Sequence, residues 1–200
     1  MLHRVRQTLQ RQELFDERII NAMNKIDRKN FIDSESAYLD IPLPIGEGQT
    51  ISQPSTVAVM LSLLKLKSGD KVLEIGTGSG WNAALISEII NPGKVLSLEI
   101  SKELADRARE RLNELEIENV LVKTDDFRLL NEKFNKIIFT AGILFEQEDI
   151  IEDFAEEHLG EGGVLVCPYQ TGAIMIITKE DDKLEKEYTD EEYSFVPLIL

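Results

Sequence analysis

The sequence predicts an α/β fold: a Rossmann-like, doubly wound sheet, mostly parallel with an antiparallel edge strand, and with an N-terminal helical appendage. Three observations predict it. Short apolar runs alternate with amphipathic stretches from residue 54 onward, as parallel strands joined by covering helices require. One of these runs, Val72-Leu73-Glu74-Ile75, passes directly into Gly76-Thr77-Gly78-Ser79-Gly80 at the start of the next helical stretch. No repeat or low-complexity linker interrupts the alternation, and 200 residues that are 42% apolar can bury one sizeable core. The expected organisation is a single domain over residues 1–200, with a helical region and a shaped loop in 1–54 and the Rossmann-like core in 55–200.

Each element has a local reason. Leu14, Phe15, Ile19, Ala22, Met23 and Ile26 recur at helical spacing, which predicts an amphipathic N-terminal helix over the edge of the core. Residues 38–54 hold three prolines and two glycines among several apolar residues, so they read as an ordered but irregular loop. Pro54 suits a first helical turn, and Val57, Met60, Leu61 and Leu64 share one face of the helix that follows, which Ser68-Gly69-Asp70 ends. A strand at 71–75, a helix at 80–90, a turn at Asn91-Pro92-Gly93 and a strand at 94–99 make a β-α-β unit. Ser101 is an N-cap candidate for a helix reaching about Glu116. Further strands are expected at 120–124, 136–140, 164–168 and 173–178, with a helix at 148–158. Weak alternation over Glu192 to Leu198 predicts the final, antiparallel edge strand.

Charge and composition narrow the function. The net charge of −15 repels phosphate backbones and anionic membranes, so neither nucleic acid nor a membrane is expected as a partner. Met1, His3, Arg4, Arg6 and Arg11 open the chain without an apolar leader-like run, and the expectation is a cytoplasmic protein and a monomer. Cys167 is the only cysteine, which excludes an internal disulfide and a cysteine-rich metal site and leaves strand packing as its role.

The glycine-studded turn points to a nucleotide-like ligand. Glycines at 76, 78 and 80 let the backbone bend tightly and lie flush against a ligand, with the N–H groups of the next helix facing it. A dinucleotide fingerprint would need its third glycine where Trp81 stands, which disfavours NAD, and without a following Gly-Lys-Ser/Thr the turn cannot serve as an ATP loop. Glu99 ends the next strand, where a carboxylate can accept both ribose hydroxyls, although a carboxylate there could equally cap a helix. Asp126 ends the strand after that, where it could accept from an adenine amino group or, with Asp125, be a solvated turn acid. Glu74 could approach the cofactor or brace the turn. An adenosine ligand without a long phosphate chain remains, and cationic S-adenosylmethionine suits a pocket with these acids.

Two stretches resemble a known family. Ile41-Pro42-Leu43-Pro44-Ile45-Gly46-Glu47-Gly48-Gln49-Thr50-Ile51-Ser52-Gln53-Pro54, followed by Val72 to Gly80 and by Phe195-Val196-Pro197-Leu198, resembles the protein-L-isoaspartate (D-aspartate) O-methyltransferases. The resemblance implies a class I S-adenosylmethionine-dependent methyltransferase fold. It implies methyl transfer from S-adenosyl-L-methionine to the free carboxylate of isoaspartyl, and in some cases D-aspartyl, residues of damaged proteins or peptides. The ester then collapses to a succinimide. By the same resemblance Ser52 is the active-site serine and Thr50 and Ile51 line cofactor and substrate. Gly76, Thr77, Gly78, Ser79 and Gly80 form the cofactor loop, with Glu74 beside it. Glu99 with Ile100 and Asp126 with Phe127 match the ribose and adenine positions, and Thr140 and Ala141 border the substrate carboxylate. Asp125-Asp126-Phe127 departs from the usual Gly-Asp-Gly, and Thr140-Ala141-Gly142-Ile143-Leu144 from Thr-Ala-Ala-Ala-Pro. The second departure leaves open a paralogue that methylates aspartate in a dedicated peptide. The cofactor turn by itself would also fit an RNA adenine methyltransferase or a non-catalytic cofactor-binding module.

Overall fold

A computed structural model describes residues 1–199. Two helices, α1 (Leu2–Arg11) and α2 (Glu17–Lys25), precede the sheet. This corrects the single amphipathic helix expected around Leu14 to Ile26. Glu13 takes a left-handed φ of 58° and Asp16 caps the second helix by accepting from the Arg18 N–H at 2.9 Å, so the chain breaks where Leu14 and Phe15 stand. Phe15 is consequently exposed, while Val5 and Leu9, one turn apart in an otherwise polar segment, anchor α1 on the core and are completely buried there.

The loop over 38–54 is also more regular than its prolines and glycines suggest. It contains a hairpin of β1 (Leu43–Gly46) and β2 (Gln49–Ile51), paired antiparallel. Glu47 and Gly48 both take positive φ at its two-residue turn, the conformation whose twist matches paired strands. Helix α3 (Pro54–Leu63) follows, with Pro54 in its first turn.

From there the chain alternates as expected: β3 (Lys71–Ile75), α4 (Trp81–Ile90), β4 (Lys94–Glu99), α5 (Lys102–Glu114), β5 (Val120–Thr124), β6 (Phe134–Phe139), α6 (Glu148–His158) and β7 (Leu159–Pro168). The end of the chain adds β8 (Thr171–Gly172), β9 (Ile174–Glu180), β10 (Lys183–Tyr188) and β11 (Tyr193–Ser194). The main sheet runs β10-β9-β7-β6-β3-β4-β5, parallel from β7 to β5, with β9 and β10 antiparallel.

The antiparallel edge is therefore β10, not the tail. Its sequence, Lys183-Leu184-Glu185-Lys186-Glu187-Tyr188, is mostly charged, and charge on a sheet edge discourages pairing with another chain. The tail instead pairs Tyr193 and Ser194 with β8 and then bridges Pro197 to Gly142 at the top of the sheet.

Strand order reverses at β3. The chain moves through β4 and β5 on one side, then returns to place β6 and β7 on the other. Apolar residues of α1 to α5 pack one face of the sheet, and those of α6 pack the other around Phe127, Phe139 and Phe154. Those three rings meet edge to face at 5.1 to 5.9 Å. Cys167 is fully buried in this second layer, and burial pushes its thiol pKa well up, so it stays a packing residue. A crevice opens above the carboxyl ends of β3, β4 and β6, where such folds hold their ligands.

Candidate active site

The turn after β3 is built for close approach. Gly76, Gly78 and Gly80 take φ of 98°, 52° and 88°, a region that side chains disfavour. A Cβ at Gly76 would also lie 2.3 Å from Thr140 Oγ1. The Gly76 and Thr77 N–H groups both donate to the Leu98 carbonyl at 2.8 and 3.2 Å, which ties the turn to the end of β4.

From β6, the Thr140 hydroxyl donates to the Gly76 carbonyl at 2.6 Å. A hydroxyl has one proton, so Thr140 spends it on the turn and keeps only acceptor lone pairs for the crevice.

Glu74 lies one layer behind. The parallel register sets it beside Ser97 of β4, and it is fully buried, accepting from Ser97 Oγ and from Asn82 Nδ2, the latter at 2.8 Å. Ser97 Oγ is 2.5 Å from Thr77 Oγ1, so carboxyl, serine and threonine form a chain that reaches the turn from below. Burial pushes the Glu74 pKa up to about 7, with the Glu99 charge adding to the rise and the Ser97 and Asn82 hydrogen bonds opposing it.

Glu99, almost buried at the end of β4, accepts from the Gly78 N–H at 2.8 Å and from the Ser101 N–H at 3.0 Å. One carboxylate thereby braces the glycine turn and the start of α5. Two N–H bonds leave lone pairs on both oxygens.

Asp126 accepts the Arg128 N–H at 3.0 Å and ion-pairs with its guanidinium at 2.5 Å, and that side-chain hydrogen bond lowers its pKa. Its carboxylate is thus turned toward Arg128. The Phe127 ring sits in the aromatic core, while its N–H makes no hydrogen bond among the described residues.

These pieces surround a cavity of about 200 Å³. Thr50, Ile51, Ser52, Gly76, Thr77, Gly78, Ser79, Glu99, Ile100, Asp126, Phe127, Thr140 and Ala141 all line it. Glu74 and Gly80 do not: Glu74 is shielded by Asn82 and the turn, and Gly80 is the left-handed N-cap of α4, against Ala108. Asn82, Met60, Leu98 and the tail residues Val196 to Leu198 also line it and are not among the residues that pattern or resemblance places there. Asn82 has one signal in the sequence, its place in the first turn of the helix after the glycines.

A second, wider cleft of about 930 Å³ shares Thr50, Ser52, Thr140 and Val196 with the first. The Ser52 hydroxyl stands at that junction and has no hydrogen-bond partner among the described residues. Its loop is held from behind by Arg28, which is completely buried. The guanidinium donates to the carbonyls of Ala37 at 2.8 Å, Ile41 at 3.0 Å and Ser52 at 3.1 Å, and lies 5.4 Å from the Trp81 ring centre.

A donor at the junction of a narrow acidic cavity and a wide cleft suits a reaction between a bound adenosine-type cofactor and a larger acceptor. Comparison with known proteins gives the family. The family model for protein-L-isoaspartate(D-aspartate) O-methyltransferases matches residues 3–200. The protein-L-isoaspartate O-methyltransferase of Fervidobacterium nodosum is 42% identical over 180 residues, covering 85% of this chain and 88% of its own. A Plasmodium falciparum protein described as a protein-L-isoaspartate O-methyltransferase, solved in complex with S-adenosyl-L-homocysteine, superposes with a TM-score of 0.80 at 26% identity over 98% of this chain and 96% of that one. A second solved protein-L-isoaspartate O-methyltransferase gives a TM-score of 0.81 at 28% identity, over 99% of this chain and 66% of the other. The chain belongs to the protein-L-isoaspartate (D-aspartate) O-methyltransferase family.

Proposed function

We propose that this protein transfers the methyl group of S-adenosyl-L-methionine to the free carboxylate of L-isoaspartyl residues in polypeptides, with residues 1–54 and 55–200 acting as one catalytic unit. The observation that carries the reading is the unbonded Ser52 hydroxyl where the two cavities meet. Family membership supplies the acceptor.

The residues present fit the cofactor. Gly76 and Gly78 bring bare backbone to the wall, Glu99 offers lone pairs at the strand end where ribose hydroxyls lie, and Ile100 and Leu98 supply apolar surface beside it. Asp126 keeps its charge near the far end of the cavity, and the free Phe127 N–H is the more direct donor to an adenine nitrogen. Glu74 acts through Ser97 and Thr77 as a positioning residue for the turn.

When bound, S-adenosyl-L-methionine supplies an electrophilic methyl on a cationic sulfur. A carboxylate acceptor with a pKa near 4 is already ionised at neutral pH, so no strong general base is required. Alignment carries the rate, and Ser52 can donate one hydrogen bond that aims the acceptor oxygen. Thr140 cannot compete for that role, because its proton is committed to Gly76. Ser52 has no histidine partner among its hydrogen bonds and serves as a donor, not a nucleophile.

The test offers labelled cofactor to an isoaspartyl peptide and to its aspartyl twin and measures methanol released by alkali. Methylation of the isoaspartyl peptide alone is expected; labelling of neither peptide, or of both equally, would overturn the reading.

A further inference from the structure

The wide cleft has one wall with no assigned purpose. Arg4, Gln7, Thr8 and Arg11 line it from α1 at a spacing of three, four and seven residues, so they form one stripe along the helix, turned away from buried Val5 and Leu9. Every other arginine of the chain donates to a carboxylate or a carbonyl. Arg4 and Arg11 are exposed, and their side chains make no hydrogen bond or ion pair among the described residues. Two unpaired cations beside the acceptor junction stand out in a chain of net charge −15, whose field otherwise repels an anionic substrate.

The dimensions suit a polypeptide. Seven residues of α-helix span about 10 Å, the reach of about three residues of extended chain. The cleft runs from this stripe to Ser52 and Thr140. Glu191 and Glu192 are the acids on the tail segment, and Asp40, the third acid of the cleft, is taken up by the Ser55 N–H at 2.8 Å and Gln53. The tail meets the far end of the stripe, where the Gln12 amide donates to the Tyr193 hydroxyl at 3.1 Å.

We propose that the Arg4–Arg11 stripe is a substrate subsite that binds acidic residues flanking the isoaspartyl residue, so that the protein prefers isoaspartyl sites in acidic segments. The inference rests on the isoaspartyl reading and adds a chemical class of substrate to it. Acidic flanking side chains lie along α1, while the reacting carboxylate reaches Ser52.

The experiment compares kcat/KM for two isoaspartyl peptides that differ only in flanking Glu against flanking Gln. Measurements use the full chain as wild type, Arg4→Gln/Arg11→Gln and Arg4→Lys/Arg11→Lys, with thermal unfolding as the check on folding. The wild type should favour the acidic peptide by about 10-fold, about threefold for each exposed ion pair formed. The double glutamine variant should bring the ratio near 1, mostly through KM, and the double lysine variant should keep most of it. A wild-type ratio near 1, or one that survives the glutamine changes, would overturn the subsite while leaving the activity standing. A ratio lost equally in both variants would also overturn it, since charge would then be irrelevant. Methylation of neither peptide by the wild type would overturn the isoaspartyl reading itself, and the subsite with it.

Discussion

Replacing Glu74 by glutamine should remove a pH dependence of stability that originates beneath the glycine turn. The carboxyl is fully buried and burial raises its pKa from 4.5 to about 7. An acid whose pKa rises on folding binds more protons in the native state than in the unfolded chain between those two values. Stability therefore falls as pH rises through that window and levels off above about 7. The gap of about 2.5 units at about 1.4 kcal/mol per unit is worth about 3.5 kcal/mol, without a discount for solvent because the group has no exposure. Glutamine keeps the geometry: its amide oxygen can accept from Asn82, and its NH2 can donate to Ser97, which then turns its own proton toward Thr77. The assay is urea unfolding of both proteins at pH 5 and pH 8. Between those values the wild type should lose about 2.5 kcal/mol more than the E74Q variant, the remaining titrations cancelling in the difference. Parallel pH profiles would show that Glu74 ionises at no cost in the fold, and the reasoning from its burial would fail.

Ser52→Ala should lower kcat for an isoaspartyl peptide by about 10- to 100-fold, the loss of one aligned donor, while calorimetry shows cofactor affinity within about twofold; equal loss of both would make Ser52 a brace. Glu99→Gln should weaken cofactor binding by about 10-fold, because it removes a charge-assisted acceptor, and titration calorimetry reads this directly. Unchanged affinity would sink the ribose assignment. Gly76→Ala should destabilise by more than about 2 kcal/mol in chemical denaturation, since it meets both a φ of 98° and Thr140 Oγ1 at 2.3 Å, whereas Gly48→Ala, with φ of 69° and open space, should cost only about 1 kcal/mol.

What can be read from the sequence is whatever local chemistry decides. The β3-turn-α4 unit is legible because glycines are required at positive φ, and Ser101 because its hydroxyl caps α5 at the Leu104 N–H. Strand β10 is hidden by its charge, which serves an edge and breaks the apolar signal. The tail misleads because its partners, Gly142 and Gln170, lie far away in sequence, and alternation cannot say which edge a strand will join. The same limit applies to the site. Glu99 stands out by its distance after a glycine, but the commitment of the Thr140 proton to Gly76 depends on how β6 returns beside β3. Asp126 shows the opposite case, in which a residue two positions on, Arg128, claims the carboxylate that pattern alone offers to a ligand.

The glycine-turn wall and the Ser52 wall of the crevice are held by different physics. The turn after β3 and the carboxylate of Glu99 sit at the ends of hydrogen-bonded strands, so the sheet that forms the core also fixes them. The Ser52 loop has no such support: its hairpin pairs only with itself. Its anchor is Arg28, a cation with no exposed surface and no carboxylate within its hydrogen bonds, whose fork gathers carbonyls from both ends of residues 37 to 52. Burial lowers its pKa to about 10, yet at neutral pH it remains charged, and the buried carbonyls it gathers would lose a donor without it. A hydrophobic residue of similar size would fill the space but could not specify where the Ser52 carbonyl points. Helix α4 closes the arrangement, since Trp81, the residue after the last glycine of the turn, lies under the guanidinium and donates to the Ile26 carbonyl at 3.2 Å. One residue thus links the two walls, and Trp81, which stands where a dinucleotide fold would place its third glycine, is what connects the glycine turn to the Ser52 loop.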